Sequence, residues 1–198
     1  SDTTRAAERR LREDSPTIEA VSQLLEEGTD PKNSSLLRDF SHLFLSRASE
    51  EVLRQRSPED LAAMISSSFE FLEASRPFRV DVSVVNPATS GTWADAVTVI
   101  RTNVSERPFI IDSIREYLTA EGISIERMIY PIVDVERDEE GSVLGIKAPG
   151  DGGSKESIVH LEIARIEDLP RLAEMAEALT TLLQDVVRST DDFQPMID

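Results

Sequence analysis

The spacing of apolar residues changes near residue 76, and this change limits what the chain can fold into. Before it, apolar residues recur three and four positions apart, the spacing of one helix face. Three segments have that spacing: 17–27, 35–55 and 58–74. After it, Val80, Val82 and Val84 alternate with polar residues, as in a half-buried strand. The sequence therefore predicts a helical N-terminal subdomain over 1–75 and a sheet-containing domain over 76–198.

The start of the third helix is the best-marked boundary in the first part of the chain. It lies in the stretch SPEDLAAM, where Ser57 is the predicted N-cap and Pro58 the first helical residue. Asp60 falls in the first turn, where the helix dipole favours a negative charge. We expect the apolar face of this helix to pack against the helix before it.

The second part has the order strand, strand, helix, strand, strand, helix. The predicted strands are 79–85, 96–104, 125–137 and 157–166, and the predicted helices are 107–121 and 168–187. This order predicts an α+β fold of the ferredoxin-like kind, in which two helices cover one face of a mainly antiparallel sheet. No strand pattern follows the last helix, so strand 79–85 is expected to take the place of a final strand. The region 145–157, GIKAPGDGGSKES, is interpreted as a glycine-rich loop.

Strand 157–166 has two faces that differ in composition. Alternate residues predicted to face the two helices are Val159, Leu161 and Ile163. The residues between them are Ile158, His160 and Glu162, which are predicted to lie on an open face of the sheet. Pro131 cannot donate a hydrogen bond to a neighbouring strand, so strand 125–137 is expected to be bulged or at an edge there.

Composition and charge exclude several classes of function. The net charge of −17 would repel the phosphates of nucleic acids and of anionic membranes, so neither is expected as a partner. The chain has no cysteine, which excludes disulfides, thiolate nucleophiles and cysteine-bound metals. No apolar run approaches the roughly 18 residues of a membrane span, and the first residues lack the apolar core of a signal peptide. A cytoplasmic location is expected.

Candidate catalytic and metal-binding groups are few. Ser113, His160 and Asp112 could in principle form a nucleophilic triad, but no nucleophile elbow accompanies them. The two histidines, His42 and His160, have no partner at ligand spacing, so no metal site is expected. The glycine cluster at 150–153 carries an aspartate and lacks the strand–glycine loop–helix context of a dinucleotide site. We therefore expect no catalytic residue and no cofactor in this chain.

Five stretches resemble one family in the expected order. RPFIIDS is similar to the D-M-P-F-L-V-D-S signature of the large bacterial NAD-specific glutamate dehydrogenases, where it opens the first helix of an ACT-like module near the N-terminus. The other four similar stretches are PEDLAAM, IYPIVDVERDEEG, ESIVHLEI and LLQDVVRSTDDFQPM. Together they extend over about 58–196, which is most of the chain.

The resemblance implies that the chain is an N-terminal ACT-like fragment with a regulatory or assembly role. The parent enzyme would use NAD to deaminate L-glutamate oxidatively to 2-oxoglutarate and ammonia, with its catalytic core well downstream. The fragment itself would not be catalytic. The partners implied are the other domains of the parent chain, further copies in a homo-oligomer, and an amino-acid effector.

The stretch RPFIIDS has two interpretations. In regulatory ACT domains the loop before the first helix often holds a free amino acid, which makes Glu106, Arg107, Asp112 and Ser113 candidate ligand-binding residues. Asp112 would then receive an α-amino group. The alternative is structural, and we favour it: Pro108 sets the first helical turn, while Asp112 and Ser113 satisfy exposed amides or the helix dipole. Four residues are then expected to pack on the sheet: Phe109, Ile111, Ile114 and Leu118.

Three functional hypotheses follow. The first is the non-catalytic module of a glutamate dehydrogenase. The second is a stand-alone ACT-type sensor that binds an amino acid. The third is a protein–protein interaction scaffold that pairs with another subunit through the open sheet face or through an edge strand.

Overall fold

The computed structural model describes residues 16–88, 93–150 and 154–193. The first part of the chain is helical. Its helices are α1 (Pro16–Glu27), α2 (Pro31–Leu45), α3 (Glu50–Gln55) and α4 (Pro58–Ala74). The predicted single helix over 35–55 is wrong, because the chain leaves the helix at Ser46 and restarts after Ser49. The Ser49 hydroxyl accepts a hydrogen bond from the Val52 amide at 3.2 Å and so caps α3.

Helix α4 begins where the sequence predicted. Ser57 is in an extended conformation, and its hydroxyl accepts from the Asp60 amide at 3.1 Å. Pro58 is the first helical residue, where its missing amide hydrogen costs nothing. The apolar face of α4 is buried, and its phenylalanine Phe69 lies 5.6 Å from the ring of Phe40 in α2.

The second part forms a six-stranded sheet. The strands are β1 (Asp81–Val85), β2 (Val97–Ser105), β3 (Ile125–Ile129), β4 (Ile132–Arg137), β5 (Val143–Lys147) and β6 (Lys155–Ala164). All paired strands are antiparallel, in the order β1-β2-β6-β4-β5, and β3 also pairs with β6. Strand β1 therefore lies beside β2 and fills the place of a final strand, as the sequence predicted.

Two strand predictions need correction. The predicted strand over 125–137 is divided into β3 and β4 at Tyr130 and Pro131, because proline has no amide hydrogen for the ladder. The Pro131 carbonyl still accepts a hydrogen bond from the Ile158 amide at 3.0 Å. The region interpreted as a glycine-rich loop overlaps the end of β5 and the start of β6, and β5 pairs with β4 in a hairpin. The apolar residues Val143 and Ile146 of β5 carry the signal that the loop interpretation overlooked.

Helices α5 (Ile110–Ala120) and α6 (Leu169–Phe193) cover one face of the sheet. The core between them contains the residues that the sequence placed there, namely Val159, Leu161 and Ile163 of β6 together with Ile114, Leu118, Leu179 and Leu183. This arrangement confirms the α+β class and the ACT-like pattern of two helices on one side of a sheet.

The opposite face of the sheet is not open, so that prediction is wrong. The N-terminal helices pack on it, and Ile158 shares a hydrophobic cluster with Phe40, Phe44 and Phe69. The eight central residues of β6 are all buried, and only its two end residues are exposed. The proposed boundary at residue 75 stays a prediction, although this cluster draws residues from both sides of it.

Candidate functional site

The loop between β2 and α5 carries two of the predicted ligand residues. Glu106 donates its amide to the Lys155 carbonyl at 2.9 Å, which holds the loop against the start of β6. Arg107 reaches the other way, to α6. Its guanidinium donates to the Val187 carbonyl at 3.1 Å and pairs with Asp191 at 2.6 Å.

Arg107 is therefore used within the chain. Its side chain is largely buried, and it also donates to the Ser105 carbonyl at 3.1 Å and to the Thr190 hydroxyl at 3.1 Å. All four contacts come from Nε and Nη1, so among the described residues only Nη2 is left to donate to a carboxylate ligand. Its evident role is to fasten the loop to the last turns of α6.

The start of α5 differs from the sequence interpretation. Phe109, at the N-cap, has a left-handed conformation with φ of 74°, and Ile110 is the first helical residue. Pro108 thus precedes the cap and does not set the first helical turn. Phe109 does not pack on the sheet: it is 65% exposed, and Ile110, at 1%, takes the buried position instead. A non-glycine residue at this φ is strained, and such residues concentrate at functional sites.

Asp112 and Ser113 lie in the first turn of α5. Asp112 is exposed, where its charge is favoured by the helix dipole, and the Ser113 amide donates to the Phe109 carbonyl at 3.0 Å. Burial raises the pKa of Glu106, against the opposing charges of Lys155 and Arg107. One carboxylate oxygen of Glu106 is buried without a hydrogen-bond partner among the described residues.

The Tyr130 phenol is affected by the charges of both Glu106 and Asp112. Burial raises the pKa of its phenol, and the negative charges of Glu106 and Asp112 raise it further. The charges of Glu106 and Asp112 thus both act on Tyr130, and the Glu106 backbone is hydrogen-bonded to that of Lys155. The ligand-binding role of Glu106, Arg107, Asp112 and Ser113 stays a prediction.

The candidate triad is not assembled. His160 lies on the sheet face covered by the N-terminal helices, with its ring 5.8 Å from that of Phe44. Ser113 and Asp112 belong to α5, which packs on the other face. A sheet separates the imidazole from the hydroxyl, so these groups cannot exchange a proton.

His160 instead belongs to a buried polar layer between the sheet and the N-terminal helices. Its Nε2 lies 2.9 Å from the Glu162 carboxylate, which also pairs with Arg56 and accepts from the Trp93 indole at 3.1 Å. The Arg56 guanidinium stacks over the Trp93 ring with its central carbon 4.0 Å from the ring centroid. All three charged or titratable side chains are at most 2% exposed.

The protonation states in this layer follow from its geometry. Burial alone would raise the pKa of Glu162, but hydrogen bonds from His160 and Arg56 outweigh it and lower the pKa to about 2. Burial lowers the pKa of His160, so the ring is neutral at pH 7. A carboxylate only accepts hydrogen bonds, so the His160 proton is on Nε2. Arg56 stays protonated because arginine is not deprotonated in proteins near neutral pH.

A second buried ion pair, between Arg137 and Glu156, lies at the C-terminal end of α4. Arg137 forms a two-pronged pair with Glu156, at 3.0 and 2.8 Å, and Asn103 donates to the same carboxylate at 2.8 Å. The guanidinium also donates to the Leu72 carbonyl at 3.0 Å and the Ser75 carbonyl at 2.9 Å. The Leu72 carbonyl also accepts from the amide of Ser75, the C-cap residue, at 3.2 Å, so Arg137 adds a second donor at the C-terminal end of α4 and joins the helix to the sheet.

Comparison with known proteins identifies the family. The family model described as "Glutamate dehydrogenase, ACT1 domain" matches residues 40–179. The chain belongs to this family. It is 30% identical to the NAD-specific glutamate dehydrogenase of Pseudomonas aeruginosa over 161 residues, which are 79% of this chain and 10% of that protein. It is 25% identical to the NAD-specific glutamate dehydrogenase of Halomonas elongata over 183 residues, 90% of this chain and 11% of that protein.

The ACT1 assignment confirms the resemblance inferred from RPFIIDS and its companion stretches. The chain spans about a tenth of the length of the two relatives, and both carry NAD specificity in their names. Across the described parts of this ACT1 domain, no helix combines the length and apolar character that a bilayer span requires. Within the same parts, no group of three or more histidine, aspartate or glutamate side chains is placed to hold a metal ion.

Sequence reasoning missed the two buried ion pairs of this ACT1 family member. A signal was present: Glu156, His160 and Glu162 are all on one face of a strand whose other face is apolar. The first predicted helix, over 17–27, had an apolar face without an assigned partner. Buried carboxylates need a cation, and the arginines that supply it, Arg56 and Arg137, are distant in sequence.

Proposed function

We propose that this chain is a non-catalytic regulatory and assembly module of a large NAD-dependent glutamate dehydrogenase. The remainder of that enzyme would use NAD to deaminate L-glutamate oxidatively to 2-oxoglutarate and ammonia. The observation that carries the proposal is the match of residues 40–179 to the glutamate dehydrogenase ACT1 domain, together with relatives of which the chain covers about a tenth.

The chemistry of the buried groups favours a structural role over a catalytic one. Glu162 and Glu156 are each paired with an arginine from another element, and His160 faces Glu162. Such pairs hold helices on a sheet, and none of them points a free acid or base at a common space where a substrate could react. The sequence also lacks a dinucleotide-binding glycine motif.

The assembly part of the proposal concerns the surfaces left exposed. Phe78 is 83% exposed in the connection before β1, and Phe109 is 65% exposed in the loop after β2. Large aromatic side chains are enriched in protein interfaces. We expect other domains of the parent chain, or further copies of it in a homo-oligomer, to cover these residues in the cytoplasm.

The regulatory part concerns the neighbourhood of Glu106 and Asp112. Two carboxylates and the Tyr130 hydroxyl suit the ammonium group of a free amino acid, whereas Arg107 is already fastened to α6. The effector would therefore be held mainly by its amino group, with Ser113 beside it on α5.

Two experiments test the proposal. Glutamate-dependent reduction of NAD, followed at 340 nm, is expected for the parent enzyme and not for the 198-residue chain alone. Turnover by the chain alone would contradict the non-catalytic role. A natural reading frame that encodes no dehydrogenase beside this chain would contradict membership of a larger enzyme.

The effector is tested separately by thermal unfolding. Each of the L-amino acids is added to the chain, and an effector is expected to raise the melting temperature by several degrees. Asp112→Ala should abolish the shift, whereas Glu116→Ala, an exposed carboxylate one turn further along α5, should retain it. If no amino acid shifts the transition, the effector role is wrong and the module is structural only.

A further inference from the structure

A cleft of about 520 Å³ lies between α4 and the β1–β2 side of the sheet. This volume is within the usual range for sites that bind small molecules. The cleft opens on the sheet face that carries the N-terminal helices, so it is separate from the β2–α5 loop. The residues that carry the argument below are Met64, Glu70, Phe71, Ser83, Trp93 and Arg101.

Arg101 is the unusual group in this cleft. Its side chain is largely withdrawn from solvent, and its hydrogen bond is to the Ser68 hydroxyl at 3.4 Å. Among the described residues, no carboxylate lies within ion-pair distance of it, whereas the buried Arg56 and Arg137 each hold a glutamate. Burial lowers the pKa of Arg101 to about 10, which leaves it charged at neutral pH.

A desolvated cation without a paired anion is unfavourable, and an anion that reached it would offset the cost. The carboxylates whose charge acts on Arg101 are Glu162 and Glu70. Glu162 is already held by Arg56 and His160. Glu70 is exposed and lines the cleft without contacting the guanidinium. The guanidinium fork is suited to a carboxylate that approaches through the cleft.

The other residues that line the cleft indicate which chemical groups a ligand would carry besides its carboxylate. Met64, Phe71 and Trp93 give an apolar surface, which suits a hydrocarbon or aromatic body. The Ser83 hydroxyl, on the residue paired with Arg101 across the β1–β2 ladder, has no hydrogen-bond partner among the described residues and can donate to an anion. The negative charge of Glu70 disfavours a ligand with two carboxylates.

We propose that this cleft binds a small monocarboxylate with an apolar body, the carboxylate paired with Arg101 and the body packed against Trp93 and Phe71. This inference does not depend on the glutamate dehydrogenase assignment. It also differs in place from the candidate effector residues, because α5 and its loop lie on the other face of the sheet.

Trp93 provides the assay, because it is the only tryptophan in the chain and it lines the cleft. Tryptophan emission is followed while 3-phenylpropanoate is added to the 198-residue chain. A saturable change is expected, with a Kd in the millimolar range or tighter. The matched alcohol 3-phenylpropan-1-ol has the same body without the carboxylate, and it should bind roughly tenfold or more weakly. No saturable change, or equal binding of acid and alcohol, would overturn the proposal.

Variants locate the site. Arg101→Leu should weaken binding of 3-phenylpropanoate roughly tenfold or more, whereas Arg115→Leu, the same change at an exposed arginine of α5, should leave it unaltered. Ala63→Phe keeps Arg101 but fills the cleft, so it should also prevent binding even if Arg101→Leu is poorly folded. Unchanged affinity in Ala63→Phe, or equal loss in both arginine variants, would show that the carboxylate binds elsewhere.

Discussion

Replacing Glu162 with glutamine should strongly destabilise the chain. Glutamine has almost the same shape, so the packing of β6 is retained and the change is confined to charge. The Arg56 guanidinium, 2% exposed, would lose the carboxylate that balances it. Glutamine keeps only one acceptor oxygen, so it cannot accept from Arg56 and Trp93 on one side and from the His160 Nε2 on the other, as the two carboxylate oxygens do.

Two independent arguments give the size of the effect. The pKa of Glu162 falls from an ordinary 4.5 to about 2 in the folded chain. Because each tenfold change in an equilibrium constant is about 1.4 kcal/mol, the ionised group contributes roughly 3 kcal/mol to stability at pH 7. Breaking one side of a buried ion pair typically costs about 3–5 kcal/mol. For a chain of this length, 3 kcal/mol corresponds to a fall in melting temperature of roughly 6–12 °C.

Urea unfolding at pH 7, followed by far-ultraviolet circular dichroism, measures this loss. The control is Glu167→Gln, the same substitution at a glutamate whose side chain is 79% exposed and paired with Arg165 on the surface. That variant should lose less than about 1 kcal/mol. If the two variants lose the same small amount, the Arg56–Glu162 pair does not hold the N-terminal helices on the sheet.

Measuring stability as the pH is lowered tests the buried layer of Arg56, His160 and Glu162 without a mutation. The pKa of Glu162 is lowered on folding, so its contribution is present above pH 4.5 and is lost as the pH falls toward about 2. The difference in stability between the wild-type chain and Glu162→Gln should therefore shrink over that interval. The pKa of His160 is also lowered by burial, so the unfolded chain gains its proton first and stability falls below about pH 6.5.

Three further predictions concern other parts of the structure. Arg137→Met should cost about 3 kcal/mol, because it leaves Glu156 buried without a cation, and should speed amide hydrogen exchange in the last turn of α4. Phe109→Gly should raise stability by about 0.5–1 kcal/mol in thermal unfolding, because it relieves a left-handed φ at an exposed side chain, and a loss would mean that the ring packs on something. Glu106→Gln should raise the melting temperature at pH 7 more than at pH 4, because burial raises the pKa of Glu106 and folding then disfavours its charged form.

Much of the fold could be predicted because local signals and tertiary structure agree. The Ser57–Pro58 start of α4 and the alternation along β6 each have a physical cause within a few residues of sequence. The position of β1 beside β2 followed from the lack of any strand pattern after α6. Errors arose where a longer-range partner decided the outcome, as when the N-terminal helices covered the face predicted to be open.

The candidate site was harder to predict than the fold. Arg107 was expected to pair with a ligand. Only the fold shows that α6 comes close enough for Val187 and Asp191 to accept hydrogen bonds from its guanidinium. The positive φ of Phe109 has no marker in composition, because glycine or asparagine would be the expected residue there. The pairing of Arg56 with Glu162 joins residues 106 positions apart, and periodicity contains no information about such pairs.

The position of β6 has a consequence for biosynthesis. Strands β2, β3 and β4 all pair with it, yet it follows them in the chain. On the ribosome, β3 and β4 therefore emerge before their common neighbour exists, and their unpaired edges stay open to other nascent chains until about residue 164 has left the exit tunnel. Fast translation or a bound chaperone over that interval would protect the yield of native protein more than the same measures applied to the helical beginning of the chain.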